Sequence, residues 1–229
     1  MSASVEARLE AEAIRLYRRY AVEIVEALGF CPYAERCRLD GRTREVVILD
    51  EAPSDHRVLD RIEEVAADLE VEIGLVLLPR VMVTRQELGR WVEGLRKAHA
   101  ARHGRKPILA IEGFHPDAGA DTSSAERLTP FVRRTPDPTL QLTRLAVLER
   151  IRRGSPSGTA FFDPSVMNVD ELLASPPKPA LHERIADQNL ETVLSLGVPE
   201  IERRYRDILR DRDDSYAGID PTIIRRADA

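Results

Sequence analysis

The segment that begins at Phe114 places ionisable side chains directly after an apolar run. His115 and Asp117 follow "PILAIEGF", and the adjacent Arg133 and Arg134 lie further along the same polar stretch. Imidazole and carboxylate groups can transfer protons, and guanidinium groups bind carboxylates or phosphates through paired hydrogen bonds. This combination of residue types is typical of a site for a small anionic molecule.

A second stretch with chemical potential is "GFCPYAERC". Cys31 is predicted to start a short helix, in which Pro32 takes the first position. Amide groups and the helix dipole stabilise a thiolate there, whereas burial beside Phe30 and Tyr33 favours the neutral thiol. Exposure therefore decides whether Cys31 is a nucleophile, a soft ligand or an inert core residue. Cys37 would lie on another helix face, so we predict neither a disulfide nor a zinc pair.

Strand and helix patterns alternate in the first half of the chain. Apolar residues at helical spacing before Gly29 predict an N-terminal helix, and strands are predicted at Arg44–Asp50, "EIGLVLLP" and "PILAIEGF". Ser54 and the capping-box residues Thr84 and Glu87 mark the starts of the helices between these strands. The fold class is therefore α/β, with a small, mainly parallel sheet built from βαβαβ units and with flanking helices.

The second half of the chain is predicted to be helical. Asp137 and Pro138 suit the N-cap and first residue of a helix that ends before Gly154, and "GTAFFD" suits an edge strand or a lid loop. Two amphipathic helices are predicted, over 182–196 and 199–209. We therefore predict one α/β domain with a helical C-terminal part over residues 1–210, and a polar tail over residues 211–229.

The ends of the predicted strands give the polar loop a location. Asp50, Arg80 and His115 each follow one strand. In open parallel sheets, ligands bind outside the carboxyl ends of the strands. We therefore expect one crevice at this edge, covered by the loop that carries Arg133 and Arg134. Adjacent side chains of an extended segment point to opposite sides, so only one of these two arginines is expected to enter the crevice.

Composition excludes several classes of protein. The chain has 229 residues, of which 43% are hydrophobic and 32% charged, with a net charge of -5, which suits a folded protein and disfavours nucleic-acid binding. No apolar run approaches membrane-spanning length, and a signal-peptide pattern is missing. Two cysteines form no disulfide framework. We therefore expect a cytoplasmic protein with reduced thiols and without a membrane or nucleic-acid partner.

Cofactor motifs give little support to a bound cofactor. The sequence has no Walker loop, no G-x-G-x-x-G and no G-x-S-x-G, which disfavours the usual nucleotide cofactors. His99 and His103 have the helical i, i+4 spacing of metal ligands. His99 also shares the apolar helix face of Leu88 and Val92, so core packing is the preferred interpretation and no metal ligand is predicted. The identity of any cofactor stays open.

The two chemical stretches resemble the bacterial domain-of-unknown-function family 1415. Its members typically carry N-L-C-P-F-A, S-F-H-P, T-N-R-S-P-Y-P and H-L-L-R. This chain carries "GFCPYA", "GFHPD" and "FVRRTPDPTLQLTR" in the same order. Arg133 replaces the asparagine of the family, Gln141 replaces its histidine, and residues 154–175 resemble an insertion. The resemblance marks these positions: Cys31, Pro32, Ala34, Phe114, His115, Pro116, Arg134, Pro136, Pro138 and Arg144.

Three function classes are consistent with these residues. The first is a small-molecule enzyme acting on an anionic substrate, with Cys31, His115 and Asp117 as catalytic residues. The second is a haem- or metal-binding protein that uses Cys31 or His115 as a ligand, and the third is a non-catalytic interaction domain. The family pattern favours Arg134 over Arg133 at the anion. The residues predicted to bind the substrate are Arg133, Arg134, Arg144 and Tyr33.

Overall fold

A four-stranded sheet with helices on both faces organises the chain. The computed structural model describes residues 4–154 and 181–223. The strands are β1 (Thr43–Val47), β2 (Ile73–Leu77), β3 (Leu109–Phe114) and β4 (Thr139–Arg144). The helices are α1 (Val5–Tyr20), which continues as a π-helix (Ala21–Glu26), α2 (Ala34–Leu39), α3 (Asp55–Ala67), α4 (Arg85–Arg102), α5 (Ala125–Val132), α6 (Leu145–Gly154), α7 (Leu181–Leu196) and α8 (Val198–Ala217).

The sheet is mixed, with the strand order β1-β2-β4-β3. β1 and β2 pair in parallel, whereas β4 lies between β2 and β3 and is antiparallel to both. The α/β class is therefore confirmed, but the predicted mainly parallel sheet is wrong. The βαβαβ arrangement is also not found as predicted, because β4 separates β2 from β3.

The error came from the segment after Asp137, which was predicted as a helix. Residues Thr139–Arg144 form β4 instead, and the helix begins only at Leu145. Leu140 and Leu142 alternate with polar residues and are completely buried on one face of the sheet. Pairing with two neighbouring strands satisfies the backbone of this segment, which outweighs the helix-start signal of Asp137 and Pro138.

The predicted helix starts of α3 and α4 are confirmed. The Ser54 hydroxyl accepts a hydrogen bond from the Arg57 amide, and Thr84 and Glu87 form a reciprocal capping box. Gly74 of β2 allows α3 to approach the sheet closely, because an added Cβ would lie 2.4 Å from a methyl group of Val65. These contacts fix α3 and α4 on one face of the sheet.

The two faces of the sheet differ in how they are covered. One face packs against α3 and α4 through a continuous apolar core. On the opposite face, α1 and Tyr216 of α8 pack against Leu75 and Leu77 of β2. The row of residues that contains Leu75 continues through Gln141 of β4 to Glu112 of β3. The covered face is thus apolar on β2 and polar on β4 and β3.

The outer edge of β3 is occupied by side chains of α4. Arg96 Nε donates to the carbonyl of Ile111 over 2.7 Å, and the amide of Leu109 donates to His99 Nε2 over 3.3 Å. An edge strand exposes unpaired backbone groups that invite pairing with another chain. Arg96 and His99 therefore cap part of this edge.

The C-terminal helix extends beyond the predicted start of a polar tail at Asp211. α8 continues to Ala217, and within it Arg212, Asp213 and Tyr216 are buried. Arg212 Nε lies 2.8 Å from Asp137 Oδ1, and the Tyr216 hydroxyl donates to Asp137 Oδ2 over 2.7 Å. Charged letters misled the prediction here because these charges are paired inside the protein. None of the helices among the described residues combines the length and apolarity needed to cross a membrane. The "GTAFFD" segment lies outside the described residues.

Candidate functional site

Cys31 lies in the connection between the π-helix and α2. The π-helical bonding ends with the amide of Phe30, which donates to the carbonyl of Val25, and Gly29 adopts the positive φ of +68° that its turn requires. Phe30 is buried, and Cys31 after it is half-buried. π-helical turns are rare and occur frequently at functional sites. The rarity of this turn draws attention to the cysteine that it positions.

Several groups act on the thiol of Cys31 in opposite directions. Burial raises its pKa, and the charge of Glu26 adds to this. Hydrogen bonds from the amides of Tyr33 and Ala34 and the positive charge of Arg133 lower it, but the pKa remains above its ordinary value. The helix-start effect predicted for Cys31 is therefore present, and burial outweighs it. Cys31 keeps its proton at neutral pH, next to groups that would stabilise the thiolate.

Two tyrosines of α1 lie close to the thiol. Burial raises the pKa of both Tyr17 and Tyr20, and the charge of Cys31 contributes to each shift. The Tyr20 hydroxyl donates to the carbonyl of Val132 over 3.3 Å, and the two rings are 6.1 Å apart. Both phenols therefore remain protonated beside Cys31.

Arg133 is the cation nearest to this chemistry, and it is accessible. Its side chain is 46% exposed, and Nη1 lies 3.6 Å from Glu112 Oε2 of β3. Its guanidinium carbon lies 5.8 Å from the centre of the Phe114 ring. The Glu112 carboxylate also receives Arg96 Nη2 at 2.8 Å. One carboxylate thus lies between two arginines, held closely by Arg96 and loosely by Arg133.

Arg134 points into the protein, unlike its neighbour. It is 7% exposed, and it donates to both carboxylate oxygens of Glu202 at 2.9 and 3.2 Å. Its guanidinium carbon lies 3.8 Å from the centre of the Tyr205 ring. The adjacent arginines therefore diverge as expected, but the family-favoured Arg134 ties α8 to the loop before β4. Its role in binding a substrate stays a prediction.

His115 is buried, and both of its ring nitrogens are engaged. Nδ1 accepts the amide proton of Asp117 over 3.0 Å, so Nε2 carries the ring proton and donates to the carbonyl of Val83 over 2.8 Å. The Asp117 carboxylate itself is 62% exposed and lies 3.8 Å from Nδ1. This arrangement fixes the loop after β3 to the loop before α4. The catalytic roles predicted for His115 and Asp117 stay predictions.

The two other predicted binding residues occupy different places. Arg144 donates to the carbonyls of Val71 and Asp68 at 3.0 and 2.8 Å, and it thereby caps the end of α3. Tyr33 precedes α2, and the guanidinium carbon of Arg36 lies 5.8 Å from its ring centre. Of the predicted set, Cys31, Tyr33 and Arg133 are brought together, whereas Arg134 and Arg144 are engaged elsewhere.

The crevice expected at the carboxyl ends of the strands is filled by α8 and the turn after it. Arg212 of α8 reaches the carbonyl of Pro79, and Asp220 pairs with Arg80. The Tyr205 hydroxyl donates to the carbonyls of Pro116 and Thr135, the latter over 2.8 Å. The edge that an open parallel sheet leaves accessible is thus part of the packed interior in this fold.

Glu63, His99 and His103 form a cluster whose ligand atoms could surround a metal ion. Glu63 Oε1 lies 2.9 Å from His99 Nδ1, and Glu63 Oε2 lies 2.8 Å from His103 Nε2. His99 Nε2 accepts the amide protons of Ile108 and Leu109, so the ring proton sits on Nδ1 and points at Glu63. A metal on Nδ1 would displace that proton and leave the ring no acceptable tautomer. The cluster fits a hydrogen-bonded link between α3, α4 and β3 better than a metal site.

Two surface depressions lie on another side of the molecule, between the end of the π-helix and the C-terminal helices. One measures about 370 Å³ and includes Arg19, Arg203 and Asp207, and the other measures about 550 Å³ and includes Leu28 and Thr192. None of the residues predicted for the site lines either depression. Their arginines are engaged in ion pairs with neighbouring carboxylates.

Sequence reasoning missed four residues around Cys31, and only some of them left a signal. Glu112 interrupts the apolar run of β3, which could have indicated a polar surface on that strand. Tyr17 and Tyr20 are three residues apart on the helix before the cysteine motif, a spacing that places them on one helix face. Arg96 lies among the exposed charges of α4 and gave no signal.

The fold and site together define a mixed α/β protein with a half-buried cysteine near an accessible arginine. The chain belongs to the family described as "Protein of unknown function (DUF1415)", whose model matches residues 12–163. The family membership predicted from the motifs is therefore confirmed. Neither a curated protein nor a solved structure matches the chain.

Proposed function

We propose that this protein is an enzyme that acts on a small anionic molecule, with Cys31 as the reacting group and Arg133 as the group that binds the anion. The observation that carries the proposal is the environment of the Cys31 thiol. Two backbone amides and the charge of Arg133 favour its thiolate, while burial keeps the proton on until the reaction. A thiol in this balance can give up its proton during a reaction.

The accessibility of Arg133 supports its role at the anion. Its guanidinium is half exposed and has one loose carboxylate partner, so a carboxylate or phosphate of a ligand can bind it in a bidentate manner. Tyr17 and Tyr20 add neutral phenols close to the thiol. His115 is left out of the chemistry because both of its ring nitrogens are already hydrogen-bonded. Cys31 and Cys37 are unpaired, which suits a reducing compartment such as the cytoplasm.

The two other function classes have less support. A haem- or metal-binding role for His115 would require the ring to break its contact with Val83 or with Asp117. A purely structural Cys31, as in an interaction domain, leaves the charge of Arg133 beside a half-buried thiol without a purpose. No observation on the described residues favours either class over an enzyme.

The proposal can be tested by alkylating Cys31 in a Cys37→Ser background, in which one thiol responds. Anionic iodoacetate and neutral iodoacetamide attack the same thiolate, so the ratio of their rates reports anion binding independently of the thiol pKa. We expect this ratio to exceed that of a small free thiol by roughly threefold or more, because Arg133 attracts the anionic reagent. Rates measured as a function of pH should show a midpoint above 9.0, since burial raises the pKa of Cys31.

Two variants control this test. Arg133→Ala should abolish the preference for iodoacetate, whereas Arg127→Ala should leave it unchanged, because Arg127 is an exposed arginine of α5 that pairs with Asp121. A ratio equal to that of the free thiol, or alkylation only after unfolding, would contradict the proposal. The second outcome would make Cys31 a structural residue.

A further inference from the structure

Three charged side chains meet on the outer edge of β3, next to the proposed site. Arg96 holds the Glu112 carboxylate at 2.8 Å, and its Nε is fixed to the carbonyl of Ile111 at 2.7 Å. Arg133 approaches the other oxygen of the same carboxylate only to 3.6 Å. Each of the three side chains is about half exposed, so the group is accessible to a small molecule.

We propose that Glu112 determines anion affinity at Arg133 by competing with the ligand, and that Arg96 sets the strength of this competition. This inference rests on the proposed function of Cys31 and Arg133. In the unliganded protein, the Glu112 carboxylate occupies the position beside Arg133 that the carboxylate or phosphate of a ligand would take. A bound anion releases Arg133 from Glu112, which stays on Arg96.

The geometry explains why the exchange occurs on the Arg133 side. The contact of Arg96 is 0.8 Å shorter, from 3.6 and 2.8 Å, and Arg96 is also held by the strand backbone. The contact of Arg133 is too long for a good hydrogen bond, so breaking it loses little. Two positive charges and one negative charge leave one net positive charge. The group is therefore suited to a ligand with a single negative charge near Arg133.

The competition predicts opposite effects for two neutralising variants. Glu112→Gln should raise the iodoacetate preference of Cys31 by roughly two- to fivefold, the range expected for losing an exposed ion pair. Arg96→Gln keeps a donor for the Ile111 carbonyl but frees Glu112 to pair with Arg133, so the preference should fall. The double variant should behave like Glu112→Gln, because Arg96 acts only through Glu112. All variants are made in the Cys37→Ser background and checked by thermal unfolding.

Protection of Cys31 from iodoacetamide by inorganic phosphate gives a second measurement. Half-protection should require less phosphate in Glu112→Gln and more in Arg96→Gln than in the parent protein. Unchanged behaviour of Glu112→Gln, while Arg133→Ala still abolishes the preference, would overturn the competition and leave the proposed function intact. Absence of any preference in the parent protein would overturn both.

Discussion

Arg133 and Arg134 have the same chemistry but different environments. Arg134 stacks on Tyr205 and pairs with Glu202 in the interior, whereas Arg133 remains accessible near Cys31. The alternation of an extended segment separates them, which the sequence predicts, but alternation does not say which one is buried. That choice depends on Glu202 of α8, a residue 68 positions away in the chain.

Arg134→Ala should therefore affect stability in place of ligand affinity. The change leaves the Glu202 carboxylate without its bidentate partner and removes a stacked guanidinium, so we expect a loss of roughly 2–4 kcal/mol in the free energy of unfolding. Urea denaturation measures this loss, and the iodoacetate preference of Cys31 should persist in the folded variant. A stable Arg134→Ala protein without that preference would assign the anion to Arg134 instead.

The prediction of elements succeeded where the signals were local and failed for one strand. Caps and apolar periodicity identified α1, α3, α4 and the first three strands. The segment of β4 carries the alternation of Leu140 and Leu142, but it runs into helix α6 without a break and follows a convincing helix start. Its state is decided by pairing with β2 and β3, which are distant in sequence, and single-sequence patterns do not report such pairing.

α8 is connected to α1 by an ion pair at Asp211, and this pair gives a pH-dependent test. The Asp211 carboxylate receives Arg15 at 2.8 Å and Arg19 at 2.7 Å. Burial acts to raise its pKa, but the hydrogen bonds from these arginines outweigh burial and hold the pKa below 3.8. Its stabilisation is therefore complete above the unfolded value and disappears as the pH falls through the lower folded value.

Asp211→Asn should lower the free energy of unfolding by about 1 kcal/mol at neutral pH, as expected for a partly exposed pair. The difference between the variant and the parent protein should shrink between about pH 5 and about pH 2. Urea titrations across this range provide the measurement. Asp207→Asn is the matched control, because Asp207 pairs only with arginines of its own helix and should cost less. A difference that grows on acidification would refute the assignment.

The molecule as a whole is closed by its C-terminal helix. Tyr205, Arg212 and Tyr216 of α8 contact the loops that follow β2 and β3 and the residues that precede β4. A rule derived for open parallel sheets placed the site at this edge, and the mixed strand order and α8 remove its premises. The family motifs nevertheless identified Cys31, because a local sequence pattern persists whatever covers the sheet.

Arg212→Met tests how much this closure contributes. Arg212 is 1% exposed, and its loss leaves the buried carboxylates of Asp137 and Asp213 without their guanidinium, so we expect a loss of about 3–5 kcal/mol. The control is Arg210→Met, since that side chain is 66% exposed and should be nearly neutral. Calorimetric unfolding distinguishes them. Equal stability of the two variants would show that α8 is held mainly by its apolar contacts.

The π-helix between α1 and Cys31 has an evolutionary consequence. Leu9 and Leu16 of α1 pack against the sheet, whereas Ile24 within the π-helix packs with Phe30 in a different cluster. A π turn takes up about one residue more than an α turn, so deleting a single residue would rotate everything that follows by roughly 100°. A relative that retains the Cys-Pro motif but lacks that residue would present its thiol to other neighbours. Aligned motifs alone therefore do not guarantee a shared chemistry; the spacing from α1 must be kept as well.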